Sequence, residues 1–174
     1  MGFQSTVSLV QGFGVPGEQF SDSPWRAQSF SINSASAAYN IIGATACTVT
    51  SQGVCQAGSG GTLGYAGILA APKEVALFGT SGSPLSPTLT VPNFTQIECM
   101  TMGQIIATLP ASASIGDWVI FDNTTGALST VAPTTSLPGG KSWAYAVVDN
   151  FTVTAASGVA LAVLTLNPGI GVPT

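Results

Sequence analysis

Three cysteines, seven carboxylates, two lysines, one arginine and no histidine are the ionisable side chains, tyrosines aside, that this sequence offers for chemistry. Without histidine, acid–base work falls to paired carboxylates. Asp117 and Asp122 stand five apart in one strand-like run, which separates them by roughly 17 Å at ~3.3 Å per residue. Glu18, Asp22, Glu74, Glu98 and Asp149 show no spacing that would join them. Nineteen serines beside two lysines single out no nucleophile. Gly12 to Gly17 read GFGVPG, which matches GxGxxG, but Pro16 and the Ser/Asp/Pro run to Pro24 leave no helix to meet a pyrophosphate. Pro138-Gly139-Gly140-Lys141-Ser142 is shaped like the end of a phosphate loop, yet Thr135 stands where the first glycine is required. The Gly58–Gly61 cluster has no lysine. No catalytic residue, cofactor or metal site is expected.

Cys47 and Cys55 lie in ACTVTSQGVC. A hairpin across Ser51-Gln52-Gly53 would bring them close. They and Cys99 read as reduced, buried, small apolar residues; a Cys47–Cys55 disulfide is the alternative. A zinc centre lacks both histidine and a CxxC pair. Asn93, Asn123 and Asn150 each open a glycosylation-type triplet and read more simply as surface turns.

Only 6% of the residues are charged, against about 25% in ordinary soluble domains. Serine and threonine, 39 together, replace them. A net charge of −4 gives no basic footprint for nucleic acid and no polybasic patch for a membrane. No apolar run approaches the ~20 residues of a membrane helix, and the first residues read as an ordinary start rather than a signal peptide. Charge normally keeps a monomer dispersed, so much of this neutral surface is expected to face other protein; a neutral-skinned secreted monomer is the alternative.

Short β-branched and aromatic runs alternate with Gly, Pro, Asn and Ser breaks, which predicts an all-β small barrel or sandwich, tulip-like or jelly-roll-like, with little helix. The expected strands are Ser5–Val10, Ala46–Thr50, Gly64–Leu69, Val75–Phe78, Thr88–Val91, Gly103–Thr108, Trp118–Asp122, Ser142–Val148 and Ala160–Leu166. In IGDWVIFDNTTGAL, Trp118, Ile120 and Leu128 are expected on one face, Val119 and Phe121 on the other, with Asp122 to Gly126 as the turn. Residues 11–38 keep no strand period, but they carry Phe13, Phe20, Trp25 and Phe30, which a free tail rarely does. Residues 1–38 thus read as a strand and an extended arm, and residues 39–174 as a single β domain. The arm lies either on a neighbouring subunit or over the end of its own domain.

The order of motifs resembles the structural cement, or head decoration, proteins of tailed bacteriophages, and more loosely the small trimeric lambda-type decoration proteins. The C-terminal half carries Gly116-Asp117, Asp122 to Gly126, Pro138-Gly139-Gly140, Ala144-Tyr145-Ala146-Val147-Val148-Asp149 and Gly158 to Leu166. The N-terminal half adds Gly14-Val15-Pro16-Gly17, Arg26-Ala27-Gln28, Ala66-Gly67-Ile68-Leu69, Pro72-Lys73-Glu74 and Leu77-Phe78-Gly79. The resemblance implies a virion protein without enzymatic activity, made in the host cytoplasm. It would sit on the outer surface of the head and clamp adjacent major capsid subunits. Copies of itself would be further partners, in trimers or, less favoured, dimers. Phe13, Phe20, Trp25 and Arg26 are the expected grip on capsid or neighbouring subunit, since tryptophan and arginine are favoured hot-spot types. A carbohydrate-binding or adhesion module of a virion or secreted protein is the alternative, with Trp25, Trp118 and Trp143 stacking on sugars; Trp118 and Trp143, inside strand patterns, read rather as core.

Overall fold

A computed structural model describes residues 14–21, 24–60, 62–70, 89–110, 113–154, 160–169 and 171, with the backbone alone at 151–154 and 160. Nine strands occur among them: β1 (Arg26–Ile32), β2 (Ala46–Ser51), β3 (Val54–Ala57), β4 (Tyr65–Ala70), β5 (Gln96–Leu109), β6 (Trp118–Asp122), β7 (Leu128–Val131), β8 (Lys141–Thr154) and β9 (Ala160–Leu166). The helical content described is one 3₁₀ turn, Ala37–Tyr39, capped by the Ser36 hydroxyl. The strands follow the order β1-β3-β2-β4-β5-β9-β8-β6-β7, and β1 also pairs with β5. That extra pairing closes β1 to β5 into a five-stranded barrel, and the second half of β5 carries the remaining strands as an attached sheet.

β5 belongs to both parts, and its side chains switch sides midway. Ile97 and Cys99 point into the barrel with Phe30, Ile32, Cys47, Cys55, Leu69 and Val91. Met100, Ile105, Ala107 and Leu109 enter the second core, between the outside of the barrel and the attached sheet, with Ile68, Val119, Phe121, Leu128, Val148 and Leu164. Residues 99 and 105 share a parity, so a regular strand would keep them on one face. The chain resolves this between them. The β1 pairing skips Thr101, and Gly103 adopts a φ of +110°, a conformation open to glycine and strained for other residues. A β-carbon there would lie 2.8 Å from Cβ of Trp25. In β4, Gly67 (φ +127°) beside an unpaired Ala66 makes a similar bulge, which turns Ala66 into the barrel and leaves Tyr65 against the second core.

Strands Trp118–Asp122 and Ala160–Leu166 coincide with the sequence expectation, and those begun at Ala46 and Gly64 shift by a residue. The runs expected at Gly103–Thr108 and Ser142–Val148 are parts of two 14-residue strands. Arg26–Ile32, in the segment without strand period, is a barrel strand. Its alternation is incomplete because Arg26 and Gln28, both exposed, stand on the parity of the buried Phe30 and Ile32, which leaves only Ser29 to Ile32 alternating. Thr90 makes one bridge, to Ile41, rather than a strand; Ser5–Val10 and Val75–Phe78 lie outside the described residues. Leu128 pairs with Phe121 across the β6–β7 hairpin and shares its core, not the face of Trp118 and Ile120. An even-length turn decides that register, which the alternation along β6 alone does not reveal.

The β6–β7 turn is held by Asp122. Its Oδ1 accepts the amides of Thr124 and Thr125, both at 2.9 Å, and the Thr125 hydroxyl at 3.2 Å. Its Oδ2 meets Lys141 Nζ at 3.1 Å. The Thr125 amide first, then Lys141 and the Thr124 amide, outweigh partial burial and lower the Asp122 pKa to about 2.

Gly103→Ala is expected to cost about 2–3 kcal/mol, read as a lowered urea midpoint, while Gly139→Ala, with open space at its β-carbon, should change stability by less than ~0.5 kcal/mol. The Asp122 carboxylate stabilises the fold fully above the pKa of the unfolded chain, about 4, and loses that contribution as pH falls toward 2. Asp122→Asn should therefore flatten the fall in urea midpoint between about pH 5 and pH 2.5.

Candidate functional site

The residues before β1 run antiparallel along the second half of β5, on the side away from β9. The Gly17 amide donates to the Ile106 carbonyl at 2.7 Å, the Ile106 amide to Glu18 at 2.9 Å, and the Phe20 amide to Gln104 at 2.9 Å. The Ser21 hydroxyl meets Gln104 Oε1 at 2.6 Å, and Gln104 Nε2 reaches Asp149 Oδ2 at 2.5 Å. The described arm thus lies on its own domain in the single chain, and β1 continues it into the barrel.

This register places three of the four expected interface residues beside one short piece of β5: Phe20 at Gln104, Trp25 at Gly103 and Arg26 at Met102. Phe20 and Trp25 are each 42% exposed, Arg26 is exposed, and Val15 and Met102 add apolar surface along the same strand. Phe13 lies outside the described residues. Large aromatics fixed on a strand-backed strip lose little entropy on being covered, and exposed apolar surface of this kind marks contact sites. The strip brings aromatic, thioether and guanidinium groups beside one another.

A concavity of about 330 Å³ lies between barrel and attached sheet, lined by Thr48, Leu63, Tyr65, Phe121, Trp143 and Tyr145 among others. Tyr65 stacks on Phe121 with centroids 6.0 Å apart and meets Tyr145 at 5.5 Å. Tyr145 holds a φ of +49°, where β8 bulges against β6 between Ala146 and Trp143. Trp118 and Trp143 pack edge to face at 5.9 Å and are only partly buried, rather than core. Among the described residues the lining side chains include no carboxylate, amine or thiol; the hydroxyls of Thr48, Tyr65, Ser142 and Tyr145 and the aromatic rings suit the cleft to hydrogen bonding and stacking. Sequence reading had not joined Tyr65 to Tyr145; their meeting depends on the β4 and β8 bulges, which leave no composition signal.

Cys47, Cys55 and Cys99 are free and buried, as expected from the sequence. β2 and β3 form the hairpin expected across Ser51-Gln52-Gly53.

A search of curated proteins found no match. Among solved structures, a chain in one described as the capsid of Myoviridae phage XM1 is similar in fold, with a TM-score of 0.58 at 18% identity over 98% of this chain and 100% of that one. The model of the family described as structural cement protein (E217 gp24/Pam3 gp6) matches residues 3–167, and the chain belongs to this phage structural cement family.

Proposed function

We propose that this protein binds the outer surface of the phage head and cements adjacent major capsid subunits, with copies of itself, in trimers rather than dimers, as further neighbours. The family match over residues 3–167 carries the capsid-associated structural role. The outer position and the clamping are supported by the chemistry of the surface. Few charges need to be desolvated when this skin is covered, and its many short hydroxyl side chains lose little entropy there. Phe20, Trp25 and Arg26, with Phe13 upstream, form the grip, and many equivalent contacts over a shell add by multivalency. The protein acts without catalysis, in the virion, after synthesis in the host cytoplasm; neither nucleic acid nor membrane is a partner.

The aromatic cleft at Tyr65, Trp143 and Tyr145 favours a second reading, a carbohydrate-binding module. The two readings separate in solution. Cementing predicts co-sedimentation with intact capsids, weak binding to free capsid subunits, and no retained glycan on an array; glycan binding with indifference to capsids supports the module instead.

Trp25→Ala and Arg26→Ala are expected to weaken capsid binding about tenfold or more each, with unfolding free energies from urea titration changed by about 1 kcal/mol or less, since Arg26 is exposed and Trp25 partly so. Full occupancy by the double variant at wild-type concentrations removes this strip from the interface.

A further inference from the structure

The chain has three cysteines, and the fold brings all of them to one place. Cys47 comes from β2, Cys55 from β3 and Cys99 from β5, and their sulfurs all lie within 4.8 Å of one another. β2 and β5 are not neighbours; β4 runs between them. The sulfurs meet because a five-stranded barrel is too narrow to leave a lumen, so inward side chains touch across it. Opposite Cys47 on β4 stands Gly67, which contributes no side chain. The shell around the trio is apolar: Phe30, Ile32, Ile42, Leu69, Val91 and Ile97.

We propose that Cys47, Cys55 and Cys99 form a three-thiolate site that holds one soft divalent metal ion inside the barrel. Thiolates select soft cations, and a metal–sulfur bond of ~2.3 Å sets sulfurs about 4.0 Å apart around a trigonal ion, a spacing compatible with the cluster. Such a site is not legible along the chain because its ligands are 8 and 44 residues apart, without the CxxC pairs that mark zinc motifs. The chain has no histidine, and Met100 faces the other core, so the protein offers three sulfur ligands. Three thiolates and a divalent ion leave one net negative charge, spread over three polarisable sulfurs, whereas a monovalent ion would leave two in the same apolar shell. The Tyr65 hydroxyl, buried without a hydrogen-bond partner among the described residues, is within electrostatic reach of Cys99 and Cys47. Binding converts three thiols and one divalent cation into a metal trithiolate and three protons, which pass to the buffer. Because the site is fully buried, the ion enters while the barrel opens or folds.

The full chain, refolded under reducing conditions with cadmium(II) as the probe and then freed of excess ion, tests this. One cadmium per chain is expected, with thiolate-to-cadmium charge-transfer absorption, release of three protons per ion, and a raised thermal midpoint. Cys99→Ser should lower the affinity by at least about a hundredfold while keeping the β-sheet circular dichroism. If that variant does not fold, the wild-type absorption and proton count decide the matter alone. Wild-type protein that refolds without bound cadmium or charge-transfer absorption overturns the site, as does a disulfide joining two of the three cysteines in protein isolated under reducing conditions.

Discussion

The structure depends on one strand that serves two sheets. β5 closes the barrel with β1 and β4, then carries β9 and through it the rest of the attached sheet. A strand can fill two cores on opposite sides only if it turns over, and the skipped Thr101 and positive-φ Gly103 do this within a few residues. The same place receives Trp25, whose β-carbon occupies the space a Gly103 side chain would need. The switch in the fold and the approach of the arm therefore meet at one residue: the absent side chain at Gly103 leaves room for Trp25.

This arrangement explains how a chain with so few charges stays specific. The two cores absorb most of the large aliphatic residues, and what is left outside is hydroxyl-rich. Among the described residues the exposed aromatics are Phe20, Trp25 and Phe94, the last beside Ile32 at the far end of β1, and others are partly buried. Phe20 and Trp25 stand beside consecutive residues of β5, while Tyr65, Trp143 and Tyr145 gather around the cleft between the two parts. Membership of the structural cement family fits a molecule whose distinctive groups are suited to contact rather than to chemistry.

The all-β class and most strands were legible because β-branched alternation and turn residues are local signals. Asp122 to Gly126 shows this well: the turn read from its residues forms, with Asp122 accepting the bonds that fix it. What escaped was non-local. β1 was hidden because Arg26 and Gln28 interrupt its apolar face, so its strand character comes from pairing with β5 rather than from its own pattern. The side of Leu128 was misassigned because the turn, not the strand, sets its partner. The convergence of Cys99 with Cys47 and Cys55 rests on barrel closure, and the Tyr65–Tyr145 contact on two bulges; neither is written in any short window of sequence. Phe20, Trp25 and Arg26 stand out in the sequence by residue type, whereas their alignment on Met102 to Gln104 comes from the register of the arm.

The central claim is that this neutral, aromatic-striped surface rests on an assembled protein shell. A cryo-electron reconstruction of the phage particle tests it most directly. The account predicts the barrel on the outside of the head, at the junctions between capsid subunits, with Phe20, Trp25 and Arg26 covered there by protein. Density for this chain inside the shell or on the tail, or an outer position that leaves those three side chains facing solvent, would contradict it.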